Sequence, residues 1–257
     1  MQKIIAIANQ KGGVGKSTTA INLSSALAIA EKKVLLIDAD PQSNSTRGLG
    51  VEENTHKTLY NVLLGDAQLS EAIVATDLKY LALLASNINL IGAEIELIAL
   101  ERREFILKEK INNSNINYDF VIIDCPPSLG LMTVNSLVAA HSVLIPVQCE
   151  YLALEGIKLL LDTLQRVKSS LNSELYIEGI LLTMYDERTN LSKQVADELK
   201  SHFKELVFDT IIPRNVRLGE APSFGKSIFF YDIRSKGAEA YFNLAKEILK
   251  NEKKGIR

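Results

Sequence analysis

Residues 11–18 read KGGVGKST and lie between an apolar strand pattern at 4–8 and a helical pattern that begins near Lys16. The glycines of this stretch, Gly12, Gly13 and Gly15, allow a tight turn whose main-chain N–H groups point at one anion. The start of the helix adds a partial positive charge. This order of strand, glycine turn, Lys-Ser and helix predicts a phosphate-binding loop inside an α/β fold.

Two side chains of the loop suit a nucleotide and its metal ion. Lys16 would reach the β- and γ-phosphates, and the Ser17 hydroxyl would bind Mg²⁺. The stretch departs from G-x-x-x-x-G-K-[ST], because Gln10 replaces the first glycine and a second lysine, Lys11, follows it. It also differs from a dinucleotide fingerprint, since Thr18 stands where a third glycine belongs. We therefore expect a nucleoside triphosphatase.

Three aspartates follow apolar strand patterns elsewhere in the chain. Asp38 and Asp40 lie in LLIDADPQ, residues 35–42, and Asp124 lies in FVIIDCPPS, residues 120–128. In open α/β sheets ligands bind at the carboxyl ends of strands, so these carboxylates are expected beside the loop. Asp124 suits Mg²⁺, directly or through water, and Asp40 suits orientation of the attacking water. The alternative for each is an aspartate that caps a turn or helix.

Short apolar runs alternate with helical patterns along the chain, which predicts a single doubly wound, mostly parallel sheet with helices on both faces. The expected strands are 4–8, 34–37, 90–91 (weakly), 120–123, 142–147 and 177–182. The expected helices are 17–30, 95–112, 131–139, 153–169, 192–203 and 237–250. Because no repeat or flexible linker interrupts this alternation, residues 1–257 are expected to form one domain.

Composition excludes several other classes of protein. The 257 residues are 47% hydrophobic and 23% charged, and the net charge of -2 draws the chain neither to DNA nor to anionic lipid as a whole. Cys125 and Cys149 are expected to be reduced thiols. The first residues enter a strand pattern at once and residues 81–100 contain polar interruptions, so we expect no signal peptide, no membrane span and a cytoplasmic location.

The motifs together resemble the ParA/MinD group of P-loop ATPases, which carry a deviant Walker A motif. KGGVGKST with Lys11, IDADPQ and IIDCPPS match that group. Longer segments resemble the chromosomal ParA/Soj-type partition ATPases, and the likeness spans nearly the whole chain. These segments are QCEYLALEG (148–156), LLTMYDERTN (181–190), IPRNVRLGEAPSFGK (212–226) and YDIRSKGAEAY (231–241).

The resemblance implies an ATP- and Mg²⁺-dependent homodimer in which two ATP molecules are sandwiched. Lys11 would act on the partner's nucleotide, as an arginine finger does in other NTPases, while Lys16 would act within its own subunit. Asp40 would support water attack and Asp124 would hold Mg²⁺ through water, together with Ser17. The remaining nucleotide contacts would come from Gly12, Gly13, Val14, Gly15 and Thr18 around the phosphates, and from Pro213 and Asn215 at the adenine.

The resemblance also implies partners. The ATP dimer would bind double-stranded DNA without sequence preference and associate with the nucleoid, and a ParB-type centromere-binding protein would stimulate hydrolysis. The matching DNA-binding positions are Arg188 and Arg217, with Lys193, Lys200 and Lys226 as neighbours. The phosphate loop begins at residue 11, so we expect no N-terminal helix-turn-helix and no operator reading. Residues 128–130 are the expected region for contact with the ParB-type protein.

Other readings of the same motifs are possible. A MinD-like membrane-associated ATPase of cell-division-site selection would use a C-terminal amphipathic helix, and the tail AYFNLAKEILKNEKKGIR (240–257) has an apolar stripe that suits internal docking better. A nitrogenase-reductase-like carrier would need cluster-binding cysteines, which Cys125 and Cys149 do not match in position. A metabolic amide or phosphoryl transferase, or a binding module without turnover, completes the alternatives.

Overall fold

A seven-stranded sheet organises the residues that the computed structural model describes, 2–52, 57–150 and 153–253. Its strand order is β3-β4-β2-β5-β1-β6-β7, and every pairing is parallel except that of β3 with β4. The strands are β1 (Lys3–Ile7), β2 (Val34–Asp38), β3 (Ile73–Ala75), β4 (Leu81–Leu84), β5 (Phe120–Asp124), β6 (Ser142–Gln148) and β7 (Tyr176–Thr183).

Helices follow most strands. The α-helices are α1 (Lys16–Ile29), α2 (Asn44–Gly48), α3 (Leu59–Leu64), α4 (Leu69–Ala72), α5 (Leu90–Glu96), α6 (Ile106–Asn112), α7 (Leu131–Ala139), α8 (Ala153–Ser170), α9 (Asn190–Phe203), α10 (Val216–Glu220), α11 (Ile228–Tyr231) and α12 (Lys236–Lys253). Short 3₁₀ turns occupy Leu97–Ala99, Arg103–Phe105, Lys204–Leu206 and Ala221–Phe224.

The sheet is buried on both faces, as its apolar strands require. Along β1, Ile4 and Ala6 point into one core, and Ile5 and Ile7 point into the other, because side chains alternate across a strand. The first core packs against α3 and α5 to α9, and the second against α1, α11 and α12. The expected doubly wound α/β fold is therefore confirmed.

The sheet register gathers the acidic strand ends at one edge. Asp38, the last residue of β2, lies directly beside Asp124, the last residue of β5. Ile7, which ends β1, pairs with Asp124 from the other side. The carboxyl ends of β1, β2 and β5 thus meet where α1 begins, as expected for a ligand site in a parallel sheet.

One expected strand is wrong. Residues 90–91 begin α5, and the strand of this region is β4, whose Leu81–Leu84 run pairs with β2. The antiparallel edge strand β3 was not expected. Both errors arise in a stretch whose apolar residues satisfy helix and strand patterns equally, so that pairing with β2 decides the outcome.

The expected continuous helix over 95–112 is also wrong. It is interrupted at Leu100, which is extended, and at Arg102, whose φ is 54°. The side chain of Asn135 in α7 bridges the interruption, because its Oδ1 accepts a hydrogen bond from the Leu107 amide and its Nδ2 donates to the Arg103 carbonyl. Among the described residues no helix is both long and apolar enough to cross a membrane.

Residues 207–213 run beside β7, which is the last strand of the sheet. The Phe208 amide donates to the Ile180 carbonyl at 3.0 Å, and the Ile212 amide donates to the Leu182 carbonyl at 2.9 Å. The ring of Phe208 lies so close to Gly179 that a Cβ there would be 2.5 Å from it. This segment covers the C-terminal half of β7 and then leads to Pro213.

Candidate active site

The turn between β1 and α1 depends on glycine at two positions. Gly13 and Gly15 have φ values of 74° and 89°, in the left-handed region that residues with side chains rarely adopt. Gly15 immediately precedes α1, which begins at Lys16. The main chain therefore turns sharply into the helix, which leaves the first amide groups of α1 without helical partners and able to face an anion.

Neighbouring strands hold the turn in place. Asn9 accepts a hydrogen bond from the Lys11 amide at 3.0 Å through Oδ1, and its Nδ2 donates to the Pro146 carbonyl at 2.7 Å. Thr183 at the end of β7 donates its hydroxyl to the Val14 carbonyl at 2.9 Å. Sequence reasoning missed Asn9 and Thr183, although each is a polar residue at the end of a buried strand.

The two lysines of the loop occupy different environments. Lys16 is 7% exposed, and its Nζ donates a hydrogen bond to the Lys11 carbonyl at 3.1 Å. Burial lowers the pKa of Lys16, and the charges of Asp124 and Asp40 act in the opposite direction. The Lys11 side chain is 41% exposed, with its Nζ 3.6 Å from Glu150 Oε2. One ammonium group thus points into the loop and the other lies at the surface.

Asp124 is fully buried, and only one of its two carboxylate oxygens accepts a hydrogen bond from the described residues. Its Oδ2 accepts a hydrogen bond from the Ser45 hydroxyl at 2.7 Å, whereas Oδ1 has no hydrogen-bond partner among the described residues. Burial raises the pKa of Asp124 to about 6, against the lowering effect of the Ser45 and Ser17 hydroxyls. A buried carboxylate oxygen without a donor is what a cation or its bound water would complete.

These residues fit Mg²⁺ held together with a nucleotide. Within the described part of the chain, no group of three His, Cys, Asp or Glu residues could hold a metal ion. Mg²⁺ characteristically takes one or two protein oxygens and completes its shell with phosphates and water. Ser17 and Asp124, beside the phosphate loop, are suited to that arrangement.

The other two aspartates differ in their surroundings. Asp38 is fully buried, and its Oδ2 accepts hydrogen bonds from the Thr46 amide and hydroxyl at 2.8 and 2.7 Å. Burial and the neighbouring Asp124 raise its pKa to about 8. Asp38 therefore orders the turn after β2, since its Oδ1 also accepts from the Asp40 amide. Asp40 itself lines the cavity over the loop, with Oδ1 accepting from the Gln42 amide at 2.9 Å.

Two adjoining cavities surround the loop. The first, about 380 Å³, is lined by Gly12, Gly13, Gly15, Lys16, Ser17, Thr18, Ile21, Asp40, Asn44, Pro127, Met184 and Pro222. The second, about 220 Å³, is mainly apolar and is lined by Gly15, Thr18, Thr183, Met184, Ile212, Pro213, Arg214, Asn215, Val216, Leu218, Gly219 and Tyr241. They share Gly15, Thr18 and Met184, so a phosphate chain in one could continue to a flat ring in the other.

The expected DNA-binding arginines are exposed but paired. Arg188 Nη2 lies 2.7 Å from Asp186 Oδ2, and its guanidinium lowers the pKa of that carboxyl to about 2. Arg217 contacts Glu220 at 2.9 Å and Asp232 at 3.6 Å.

One of the expected DNA-binding residues, Arg188, lies in a groove with other basic residues. Arg188 lines a groove of about 400 Å³ together with Arg214 and Lys236. Neither Arg214 nor Lys236 is among the DNA-binding positions that the resemblance implies, although both belong to the run of basic residues between 214 and 236. Lys193 and Lys200 are exposed on α9, and Lys226 lies just after the last 3₁₀ turn. Residues 151–152 and 254–257, which belong to two of the motifs considered above, lie outside the described residues.

Comparison with known proteins finds relatives that cover almost the whole chain. The model of the AAA domain family matches residues 2–177. The chain is 54% identical to the sporulation initiation inhibitor protein Soj of Bacillus subtilis, over 98% of this chain and 100% of that protein. It is 52% identical to the chromosome partitioning protein ParA of Myxococcus xanthus, over 97% of this chain and 89% of that protein.

A solved structure is similar over almost the same length. It is described as cobyrinic acid a,c-diamide synthase from Mycobacterium smegmatis with bound ADP and magnesium. The identity is 40%, the TM-score is 0.87, and the similarity covers 99% of this chain and 97% of that one.

Proposed function

The chain belongs to the Soj/ParA family of chromosome-partitioning ATPases, and we propose that it segregates DNA through an ATP-driven cycle of dimerisation and DNA binding. It is an ATPase, and ATP and Mg²⁺ are its cofactors. Residues 1–257 would act as one P-loop ATPase domain in the cytoplasm, associated with the nucleoid. The cargo would be chromosomal or plasmid DNA.

The contrast between the two lysines carries the proposal. Lys16, buried and bonded to the Lys11 carbonyl, is placed to hold the β- and γ-phosphates of its own subunit's nucleotide. The Lys11 side chain is 41% exposed and, among the described residues, its ammonium group has a loose contact with Glu150 at 3.6 Å, so it could reach a second copy. A lysine supplied by the partner would stabilise charge on the transferring phosphoryl group and would make the dimer depend on the γ-phosphate.

Hydrolysis would use the acidic strand ends. Asp40, at the edge of the phosphate cavity, would orient the attacking water in line with the γ-phosphate. Ser17 and Asp124 would hold Mg²⁺, with Asp124 acting through water. Magnesium supplies charge neutralisation on the phosphate oxygens when it is bound. Pro213 and Asn215 would face the adenine in the smaller cavity.

DNA binding would follow from dimerisation. One subunit would offer a small basic surface, made of Arg188, Arg217 and the neighbouring lysines Lys193, Lys200 and Lys226, on a chain of net charge -2. Two such surfaces joined in one dimer bind with avidity that neither has alone. Contacts to phosphates carry no sequence information, so binding would be non-specific and sensitive to salt.

A ParB-type centromere-binding protein would complete the cycle by stimulating hydrolysis and releasing the subunits from DNA. The family supports this partner, and residues 128–130 are a suitable point of contact because they follow Asp124 and precede α7. Sequence similarity favours DNA segregation over amide synthesis, since the chain is 52% identical to ParA of Myxococcus xanthus and 40% identical to the solved diamide synthase structure.

Co-sedimentation tests the proposal. The purified protein is mixed with non-specific duplex DNA or with anionic liposomes, each in ATP and in ADP with Mg²⁺. We expect sedimentation with DNA in ATP only. Arg217→Glu should abolish this association, with Leu191→Ser as a control for an exposed change on α9. Sedimentation with liposomes in ATP and not with DNA would favour a MinD-like membrane ATPase and overturn the proposal.

A further inference from the structure

Four isoleucines form an exposed row along α5 and the turns at its two ends. They are Ile88, Ile91, Ile95 and Ile98, with exposed fractions of 57%, 49%, 70% and 60%. Their spacing of three, four and three residues places them on one side of a helix, and we refer to them as the isoleucine row. The other side of the same helix is already packed in the core through Leu90, Ala93 and Leu97.

A helix that is apolar on both sides is normally covered on both. Single exposed apolar residues are common on protein surfaces, but a contiguous row marks a contact site. All four side chains of the isoleucine row stay exposed, so no described part of this subunit covers them. It therefore calls for a partner from outside this subunit.

The charges beside the row indicate what kind of partner fits. Glu94 and Glu96 flank Ile95 on its two sides, about 100° away around the helix. Their carboxylates accept hydrogen bonds from the Met132 amide and the Tyr60 hydroxyl, and neither forms an ion pair with any described residue. The basic residues beyond the row are engaged, because Arg102 pairs with Glu109 and Arg103 pairs with Glu104.

We propose that the isoleucine row is the docking surface for a short amphipathic segment with basic flanks, supplied by the ParB-type partner; this inference rests on the function proposed above. Apolar side chains of the segment would cover the row, and its lysines or arginines would meet Glu94 and Glu96. A second copy of this chain fits less well, since two rows facing each other across a two-fold axis would also bring four glutamates together.

The row is connected to the phosphate cavity by direct contacts. Glu94 Oε1 accepts from the Met132 amide at 3.3 Å, and a Cβ at Gly130 would lie 2.9 Å from the same oxygen. Residues 125–130 join Asp124 to α7, and Pro127 among them lines the phosphate cavity. A segment seated on the row would touch Glu94 and, through it, the loop that follows Asp124. Docking can thereby alter the site where hydrolysis takes place.

The test compares two variants of exposed residues. Ile91→Ser/Ile95→Ser removes the centre of the row, where the side chains are 49% and 70% exposed, and Leu159→Ser changes a residue of α8 that is 57% exposed. For each protein we would measure basal ATP hydrolysis, ATP-dependent binding to non-specific duplex DNA, dimerisation by light scattering, and hydrolysis with increasing ParB-type protein. We expect the double variant to keep the first three within about twofold and to need roughly tenfold more ParB-type protein, or more, for half-maximal stimulation. Leu159→Ser should match wild type.

Other results would overturn the proposal. Undiminished stimulation of the double variant would show that the row is not the docking surface. Loss of ATP-dependent dimerisation in that variant would identify a second copy as the occupant. Glu96→Lys tests whether the negative charge beside the row contributes to docking. It should weaken stimulation by the ParB-type protein at low salt, and stimulation equal to that of wild type would exclude a basic segment. A wild-type protein that neither binds DNA nor responds to ParB-type protein would instead refute the proposed function, and the docking proposal with it.

Discussion

The ammonium group of Lys16 donates a hydrogen bond to the main-chain carbonyl of Lys11, at 3.1 Å. The two lysines of the loop are thus joined through the side chain of one and the main chain of the other. Lys16 helps to shape the turn, whereas the side chain of Lys11 is not needed for it. Substitutions of the two residues should therefore have separable effects.

Lys16→Ala should weaken ATP binding by about 10- to 100-fold, the effect of losing hydrogen bonds to a charged group. Lys11→Ala should bind ATP nearly as tightly as wild type, because the Lys11 carbonyl remains, yet it should not dimerise. Titration with a fluorescent ATP analogue and light scattering in ATP and Mg²⁺ measure the two properties. A Lys11→Ala protein that still dimerises on ATP would remove the model in which each lysine reaches the partner's nucleotide.

Asp40→Ala should dimerise on ATP but hydrolyse it at least roughly 100-fold more slowly, as is typical when a group that positions or deprotonates water is lost. Among the described residues, the carboxylate of Asp40 accepts a hydrogen bond only from the Gln42 amide. Its removal therefore leaves the turn after β2 held by Asp38, which accepts from the Thr46 amide. Phosphate release and light scattering on the same sample provide the comparison. Wild-type turnover in this variant would assign the water to another residue.

Asp186→Asn should strengthen ATP-dependent DNA binding. The Asp186 carboxylate is 2.7 Å from Arg188 and remains ionised at neutral pH, because the arginine lowers its pKa to about 2. Replacing it with a neutral amide frees the guanidinium for a DNA phosphate. Arg188→Ala should weaken binding and make the slope of log affinity against log salt shallower by about 0.9 for each phosphate that is no longer neutralised. Filter binding across a salt series measures both, and identical slopes for the three proteins would exclude Arg188 from the interface.

The nucleotide-free protein should lose stability as the pH rises through the range of its buried carboxyls. Asp124 and Asp38 have pKa values of about 6 and about 8 in the folded protein, above the 3.8 of an unperturbed aspartate. Each carboxyl therefore stabilises the folded protein while it is protonated. This stabilisation is complete below the pKa of the unfolded state and is lost as the pH rises through the pKa of the folded state. His141, whose pKa is lowered by burial, acts in the opposite direction below neutrality.

Thermal unfolding between about pH 5 and pH 8.5 tests this expectation, since that range spans both folded values. Asp38→Asn keeps an acceptor oxygen for Thr46 but cannot ionise, so its Tm should fall less than that of wild type as the pH rises from about 5 to about 8. The comparison of slopes, rather than of absolute Tm, separates ionisation from packing. Parallel curves for the two proteins would show that Asp38 does not titrate in this range.

Much of the fold could be predicted because it is encoded locally. The apolar runs of β1, β2, β5 and β6 are long enough to admit no other role in a sheet buried on both sides. Residues 81–112 could not be predicted in this way, since Leu81 to Leu84 and Leu90 to Ile98 satisfy both periodicities. Their structure depends on pairing with β2 and on Asn135 of α7, which are distant in sequence.

The phosphate loop and the aspartates were recognisable for a similar reason, because glycine and carboxylate positions at strand ends are constrained by the turn itself. Other contributors to the site come from residues far along the chain. Thr183 reaches the Val14 carbonyl from β7, and Arg214 joins Arg188 in one groove. No local pattern identifies such contacts, since they exist only once β7 and residues 207–213 are in place.

The segment at residues 207–213 has a consequence for solubility. It shields the main chain of the outermost strand, which otherwise would be available for pairing with another molecule, and it then delivers Pro213 to the smaller cavity. Gly179→Ala would push the Phe208 ring outward and loosen both features at once. A substitution far from Pro213 in the chain should then produce a protein that precipitates on storage and also discriminates poorly between adenine and other bases.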